Sequence, residues 1–490
     1  MTAKTLLGPL LKRTDLPDTP ITVLTENTAY ANESSVFVCI KGARADGHAL
    51  AIRAYEAGCR LFIAQSSLTL PADASVYYVP DTRQALAHLA CTFYGHPSRA
   101  MRVIGITGTK GKTTTAQLLR AILNENGIPT GYIGTNGILY GDVRTSVGNT
   151  TPDAVTLQKT LLHMKNAAMQ AVVVEVSSQA LMQFRADGTS FEAVIFTNLY
   201  DDHVGPLEHP THEHYKTCKK RLFTDFGAKS AIWNVDSDAY SDLRTGVSIQ
   251  NEITVSTMNA ADVCARNIES VYQNGTAGVS FTLCAKGESV PCLLPLMGHY
   301  NVSNALLAAA VASHTFGITP ASIASALRDA AVEGRSEWLP LPSGAIAVID
   351  YAHNGESLRQ ILTSLRDYSP ARLICLFGSV GERSQLRRAE LGQAANELAD
   401  LCILTSDNPG REDPNAIIKE IAAGLHKAPY VAITDRAEAI RHALSIAQRG
   451  DILLLAGKGH ENYQLIGTQK LPFSEKALIE DFCRKSASIH

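Results

Sequence analysis

The run Gly105-Ile106-Thr107-Gly108-Thr109-Lys110-Gly111-Lys112-Thr113-Thr114 sets glycines, lysines and hydroxyls between an apolar segment and a helical pattern over Thr115–Asn124. That order suits a phosphate cradle. Glycines let backbone N–H groups turn toward phosphate oxygens, a helix N-terminus adds positive potential, Lys112 supplies a mobile charge and Thr113 offers an oxygen to Mg²⁺. A nucleoside triphosphate with magnesium is therefore expected at Gly108, Thr109, Lys110, Gly111, Lys112, Thr113 and Thr114. The spacing departs from the common GxxxxGK(S/T) form, because Ile106 stands at its first glycine. Two more polar groups follow apolar runs. Glu175 closes Ala171-Val172-Val173-Val174, where a carboxylate is costly without a partner such as a cation. His203 follows Thr197-Asn198-Leu199-Tyr200-Asp201-Asp202. Either residue completes a magnesium site or is a strand-end group satisfied by ordinary hydrogen bonds, and histidine is an unusual ligand for Mg²⁺. By composition alone, Lys216, Lys219, Lys220 and Arg221 read as a solvated basic helix face. Asn301 and Asn304 open an alanine-rich helix, where asparagine usually caps.

Short β-branched runs alternate with longer helical patterns almost throughout, which is the mark of parallel α/β sheets. The strands Val36–Lys41, Arg60–Ala64 and Val76–Val79 and a helix over Arg83–Tyr94 make a first domain, 1–98, ending at Gly95-His96-Pro97-Ser98. A second, 99–336, carries the phosphate loop after the strand Val103–Ile106, with further strands at Ala171–Val176 and Ala193–Thr197. A third, 337–490, has strands at Ala345–Asp350, Leu373–Phe377, Leu401–Leu404 and Ile452–Leu455. In such sheets ligands gather past the carboxyl ends of strands. At 490 residues the chain is too long for one core. A net charge of -3 leaves no footprint for nucleic acid or an anionic membrane. The 10 cysteines form no CxxC pair, so reduced thiols in a cytoplasm are expected, and no apolar run approaches the ~20 residues of a membrane span. A soluble, cytoplasmic monomer acting on small molecules is the expectation.

GTxGKTT, then Glu175-Val176-Ser177-Ser178, then Thr197-Asn198-Leu199 with Asp202-His203, resembles the central domain of the Mur ligases. Asn149-Thr150-Thr151-Pro152, Ser177 with Gln183 and Arg185, and Gly457-Lys458-Gly459-His460-Glu461 resemble the branch, MurE, that adds the third residue to a cell-wall precursor peptide. The resemblance implies three α/β domains: an N-terminal substrate domain, a central P-loop ATPase domain with a parallel sheet, and a Rossmann-like C-terminal domain. It also implies a peptidoglycan-building ligase that uses ATP and Mg²⁺ to turn the D-Glu γ-carboxylate of UDP-N-acetylmuramoyl-L-alanyl-D-glutamate into an acyl phosphate, which an amino acid's amine captures. Catalysis of that kind rests on positioning and charge neutralisation. The catalytic residues it implies are Lys112 at the phosphates, Glu175 and His203 at magnesium, where Thr113 is a further ligand, and Lys219, carbamylated by CO₂ into a ligand for a second metal. Asn301 and Asn304 would approach the nucleotide base, Arg335 its phosphate and Asp350 its ribose. Because Asp350 lies in the third domain and Arg335 at the hinge leading to it, domain closure is expected.

The resemblance also assigns substrate contacts, namely Thr28, Asn149, Thr150, Thr151, Ser177, Gln183, Arg185, Arg383, Asp407, Asn408, Gly457 and Glu461. Arg383 would grip a carboxylate bidentately and Glu461 would suit a distal ammonium. The pattern is broken in three places. Asn27-Thr28-Ala29 stands where the family has Asp-Ser-Arg for the uridine nucleotide, and Gln179 replaces a common histidine. After Asp407-Asn408-Pro409, members using meso-diaminopimelate carry arginine, whereas here Gly410 precedes Arg411. L-lysine or another diamino acid is therefore favoured as the amine, with meso-diaminopimelate or a different carboxylate acceptor as the alternatives.

Overall fold

The computed structural model describes residues 1–42, 45–200, 205, 208–273, 276–382 and 386–487. The chain divides into two compact units, Met1–Val255 and Ser256–His490. Near the start of the first unit, Val23–Thr25, Ser35–Val38, Leu61–Ala64 and Ser75–Tyr78 pair in that order as a parallel sheet. Its two middle strands are buried at every residue, hence their continuous apolar runs. The helix Thr82–Phe93 is fixed at its start by Asp81, whose carboxylate accepts from the amides of Arg83 and Gln84.

The phosphate-loop strand Arg102–Thr107 lies between Ala171–Glu175 and Ala193–Phe196, parallel to both. Ser230–Asn234 and Asn251–Ser256 extend the sheet beyond Ala193–Phe196. Thr130–Gly134 extends it on the other side and leads to the antiparallel strands Gly137–Tyr140 and Val143–Thr145. The chain therefore reverses its direction of travel across the sheet at Arg102–Thr107, and a crevice opens where connections leave a parallel sheet in opposite directions. Register sets Ile106 beside Glu175 and Thr107 beside Phe196, which brings three strand ends to that crevice. Beneath it, Trp233 is fully buried, stacked on Phe223 at 4.2 Å between ring centroids and tilted against Phe196 at 6.1 Å.

The second unit departs from the parallel pattern expected of this stretch. Val263–Gln273, Thr276–Ala285 and Glu288–Leu294 form an antiparallel meander. One cause is local: Lys286 and Gly287 have φ of 52° and 79°, and two consecutive left-handed residues close a tight hairpin. The helix His299–His314 follows, buried along most of its length. Its N-cap is Gly298, so neither Asn301 nor Asn304 caps it. A six-stranded sheet follows in the order Glu337–Pro340, Ile346–Asp350, Ile452–Ala456, Leu373–Phe377, Leu401–Leu404, Tyr430–Ala432. All neighbours are parallel except the first pair. Arg436, at the start of the helix Arg436–Ile446, is fully buried against Glu475 at 2.8 Å and donates to the carbonyls of Ser406 and Ala456. It thereby ties together the ends of two strands. Among the described residues no helix is long and apolar enough to cross a membrane.

Removing the indole under the phosphate-loop crevice leaves a cavity that rigid neighbouring strands fill only in part. Trp233→Ala is expected to destabilise the first unit by about 3–5 kcal/mol. A denaturant titration followed by circular dichroism should show this as an earlier first transition, and an unchanged midpoint would contradict it.

Candidate functional site

At the carboxyl end of Arg102–Thr107 the chain turns through Gly108 (φ 151°) and Gly111 (φ 81°) into the helix Lys112–Glu125. A Cβ on Gly108 would collide with Thr197 Oγ1, so only glycine allows this approach. The neighbouring strand end fixes the loop further. Lys110 N donates to Asn198 Oδ1 at 2.8 Å, Thr109 N donates to Asn198 O at 2.9 Å and Thr197 Oγ1 donates to Lys110 O at 2.6 Å. Thr109 Oγ1 lies 2.9 Å from the Tyr215 hydroxyl. Lys112 Nζ donates to Gly108 O at 2.8 Å and to Thr109 O at 3.1 Å. Thr114 is buried in the helix's first turn.

Glu175, with no solvent exposure, is surrounded by donors. Oε2 accepts from Thr113 Oγ1 at 3.0 Å and Thr135 Oγ1 at 3.2 Å, while Oε1 accepts from Thr135 N at 3.1 Å and from the Tyr132 hydroxyl. Burial and the Glu175 carboxylate push the Tyr132 phenol well above its ordinary range. Adjacent ligands of octahedral Mg²⁺ lie about 2.9 Å apart, given metal–oxygen distances near 2.0–2.1 Å. The 3.0 Å between Thr113 Oγ1 and Glu175 Oε2 fits that edge, so this pair has the donor type and spacing to hold the ion.

On the helix His212–Thr224 the cations separate. Lys216 pairs with Glu213 and Asp242, Lys220 donates to Asp242 O, and Arg221 reaches Asp225 and Asp187. Lys219 instead turns inward, 1% exposed, with Nζ donating to Gly108 O at 2.8 Å and 4.4 Å from the Tyr215 ring centroid. The expectation of one solvated face therefore fails at Lys219. His203 lies outside the described residues.

Beside Glu175, Thr151 Oγ1 donates to Glu175 O at 2.8 Å and accepts from Ser177 N at 3.0 Å. Arg185 donates to Thr151 O at 2.8 Å and to Gln183 Oε1 through two nitrogens. Burial and the Arg83 charge lower its pKa. Thr150 Oγ1 lies 3.0 Å from Thr135 Oγ1, and Asn149 is exposed. Thr150, Thr151, Ser177, Gln183 and Arg185 thus collect at one end of the sheet. Thr28 opens the short helix Thr28–Tyr30, where Asn27 Oδ1 accepts from Ala29 N.

The second unit holds its own cluster. Asp350, buried, accepts from Ser336 N and Ala352 N at 2.9 Å each, and burial raises its pKa against the opposing Arg335 charge. Arg335 lies 4.8 Å from the Tyr351 ring centroid. Its Nε and His460 Nδ1 are buried without a hydrogen-bond partner among the described residues. Burial and Arg335 hold the His460 imidazole down to about 4, so its ring is neutral near pH 7. Two orphaned nitrogens beside one aromatic ring are suited to an incoming acceptor such as a phosphate or ribose oxygen. Asn301 Nδ2 donates to Met297 O at 2.7 Å and Oδ1 accepts from Asn304 at 3.0 Å, so each has polar partners within its own helix region.

Next to this, Lys458 is fully buried, its Nζ within 3.2 Å of Asp407, 2.9 Å of Asn408 and 3.1 Å of Glu461. Asn408 also donates to Glu461 at 2.8 Å. A Cβ on Gly457 (φ 115°) would lie 2.8 Å from Asp407 Oδ2. Gly410, φ 59°, is pinned to the hairpin Tyr463–Ile466 and Gln469–Pro472 through Leu465 O and Gly467 N, and Arg411 is exposed. Arg383 lies outside the described residues. Sequence reasoning did not single out Lys458, Tyr132 or Thr135. Lys458 was legible, since it lies inside the quoted GKGHE motif; Tyr132 and Thr135 were not, because only the register of Thr130–Gly134 against Ala171–Glu175 brings them to the carboxylate.

Residues 106–312 match the Mur ligase middle domain and 334–459 the Mur ligase glutamate ligase domain. The chain is 36% identical over 472 residues to the UDP-N-acetylmuramoyl-L-alanyl-D-glutamate--2,6-diaminopimelate ligase of Caldanaerobacter subterraneus subsp. tengcongensis, covering 96% of each. A solved structure of an enzyme of that same name superposes with a TM-score of 0.70 at 27% identity over 100% of both chains. The Thermotoga maritima MurF ligase, solved with ADP, shares the fold at TM-score 0.62 and 19% identity, over 97% of this chain and 100% of its own. With both family domains in order and a full-length relative at that identity, the chain belongs to the Mur ligase family and is an ATP-dependent, amide-bond-forming ligase.

Proposed function

We propose that the protein joins a diamino acid to the γ-carboxylate of UDP-N-acetylmuramoyl-L-alanyl-D-glutamate, in the cytoplasm and as a monomer, with ATP converted to ADP and phosphate. The full-length likeness to a ligase named for that acceptor carries the reading. The division into domains 1–98, 99–336 and 337–490 belongs to the same proposal.

In this reading the amides of Gly108 to Thr114 and the ammonium of Lys112 hold the β- and γ-phosphates. Thr113 and Glu175, with His203 and a carbamylated Lys219, would hold magnesium, whose charge would offset that of the phosphates. Carbamylation joins the neutral Lys219 amine to CO₂ and releases a proton, replacing a cation by a carboxylate. Asn301, Asn304, Arg335 and Asp350 contact the rest of the nucleotide. Thr28 contacts the uridine portion, and Asn149, Thr150, Thr151, Ser177, Gln183 and Arg185 orient the peptide so that its carboxylate oxygen meets the γ-phosphorus. The amine then attacks the acyl carbon, the C–N bond forms, and the C–O bond to phosphate breaks as the nitrogen loses its proton. Arg383 grips the amino acid's α-carboxylate, while Asp407, Asn408, Gly457 and Glu461 line its far end.

For the amine, the relatives' name supports 2,6-diaminopimelate. A second reading, L-lysine, is favoured by Gly410: its left-handed backbone and its bonds to the hairpin put no side chain where an arginine would meet a distal carboxylate. Phosphate release measured with the UDP-linked dipeptide, ATP and Mg²⁺ is expected only when a diamino acid is added. Comparing L-lysine with meso-diaminopimelate assigns the amine, and release with neither, or without any amine, would sink the reading. Lys112→Ala is expected to lower kcat at least ~10³-fold, by analogy with loss of a single transition-state charge contact. Turnover near that of the unaltered protein would remove Lys112 from the phosphates.

A further inference from the structure

Among the described residues, and outside those assigned above, one cluster brings together side chains with the chemistry of a metal site. His209, His214 and Cys218 place one ligand atom each within 4.8 Å of one another. His209 Nδ1 lies 3.0 Å from His214 Nδ1, and Cys218 Sγ lies 3.8 Å from the same His214 nitrogen. In a tetrahedral zinc site, bonds near 2.0–2.1 Å to nitrogen and 2.3 Å to sulfur put neighbouring ligand atoms about 3.4 to 3.6 Å apart. The two separations to His214 bracket that range and all three ligand atoms lie within 4.8 Å of one another, so side-chain movements of about 1 Å would close the triangle around an ion.

The local fold explains why these three meet. His214 and Cys218 are four residues apart on the helix His212–Thr224 and therefore share a face. Thr211 caps that helix, and the chain before it folds back to set the His209 ring 5.2 Å from the His214 ring. His209 is fully buried, and its far nitrogen, Nε2, lies 2.9 Å from Ser178 Oγ. A hydrogen bond at one imidazole nitrogen orients the other toward a metal, as second partners do at histidine ligands generally. The donor set, two imidazoles and a thiol, suits zinc-class cations and not magnesium.

We propose that His209, His214 and Cys218 bind a divalent transition cation of the zinc class, at a site separate from the phosphate-loop magnesium. Three protein ligands leave a fourth position for water or another oxygen donor. Through Ser178 the ion braces the turn after Glu175 against the helix that carries Lys219. The proposal does not depend on which acceptor or amine the ligase uses.

The test takes the full-length chain, stripped of metal by a chelator and without nucleotide, and titrates it with Co²⁺ and then Zn²⁺ alone. One Co²⁺ per chain is expected, with tetrahedral visible bands and a near-ultraviolet thiolate-to-cobalt absorption, all displaced by Zn²⁺. Cys218→Ser should remove the thiolate absorption. His214→Ala should weaken Zn²⁺ binding by more than ~100-fold, and Ser178→Ala by about 10- to 100-fold, the range for lost second partners. Failure to bind, cobalt bound without the thiolate absorption, or spectra and affinity that persist in Cys218→Ser or His214→Ala would each overturn the proposal. Because the readout is metal binding, none of these outcomes bears on the ligase reading.

Discussion

Glu175 ends a strand with its carboxylate withdrawn completely from water, and an isolated anion so placed would cost several kcal/mol. Thr113, Thr135 and Tyr132 supply the hydrogen bonds that offset this cost. Each donor comes from a different place: the phosphate-loop helix, the turn after Thr130–Gly134 and that strand itself. The carboxylate therefore locks the start of the helix Lys112–Glu125 to the sheet, and the loop that leads into it inherits its geometry. Gly134 belongs to the same constraint, since a Cβ there would strike both Glu175 and the Tyr132 hydroxyl.

The second unit solves a related problem with the opposite charge. Lys458 is a buried ammonium with two carboxylates and one amide oxygen around it. Asp407 and Asn408 lie in the loop after Leu401–Leu404, Lys458 and Glu461 in the loop after Ile452–Ala456, and Asp350 is in register with Ala456, the residue before Gly457. Keeping the ions to the end of Ala171–Glu175 and to the loop after Ile452–Ala456 leaves the rest of these two strands apolar.

Much of this was readable from the residues. The phosphate loop, the strand ending in Glu175 and the strands of the C-terminal sheet carry strong local patterns, because buried parallel strands need continuous apolar runs. Lys219 was readable only through family resemblance, since its neighbours Lys216, Lys220 and Arg221 have the same composition and point elsewhere. The antiparallel meander was missed because its strands are long and half exposed and its turns are set by backbone angles at Lys286 and Gly287 rather than by a hydrophobic period. Tyr132 was out of reach because sheet register, a long-range property, decides which side chains share a strand end.

Arg436 has a consequence for selectivity. Its guanidinium holds the carbonyls of Ser406 and Ala456, the residues immediately before Asp407 and Gly457, and Glu475 fixes the guanidinium in turn. In the proposed reading, where Asp407 and Gly457 line the far end of the amino-acid pocket, its two edges are thus riveted to one planar group and cannot spread apart independently. A pocket of that kind discriminates by fixed dimensions, like a gauge, and an oversized side chain must displace the whole frame to enter.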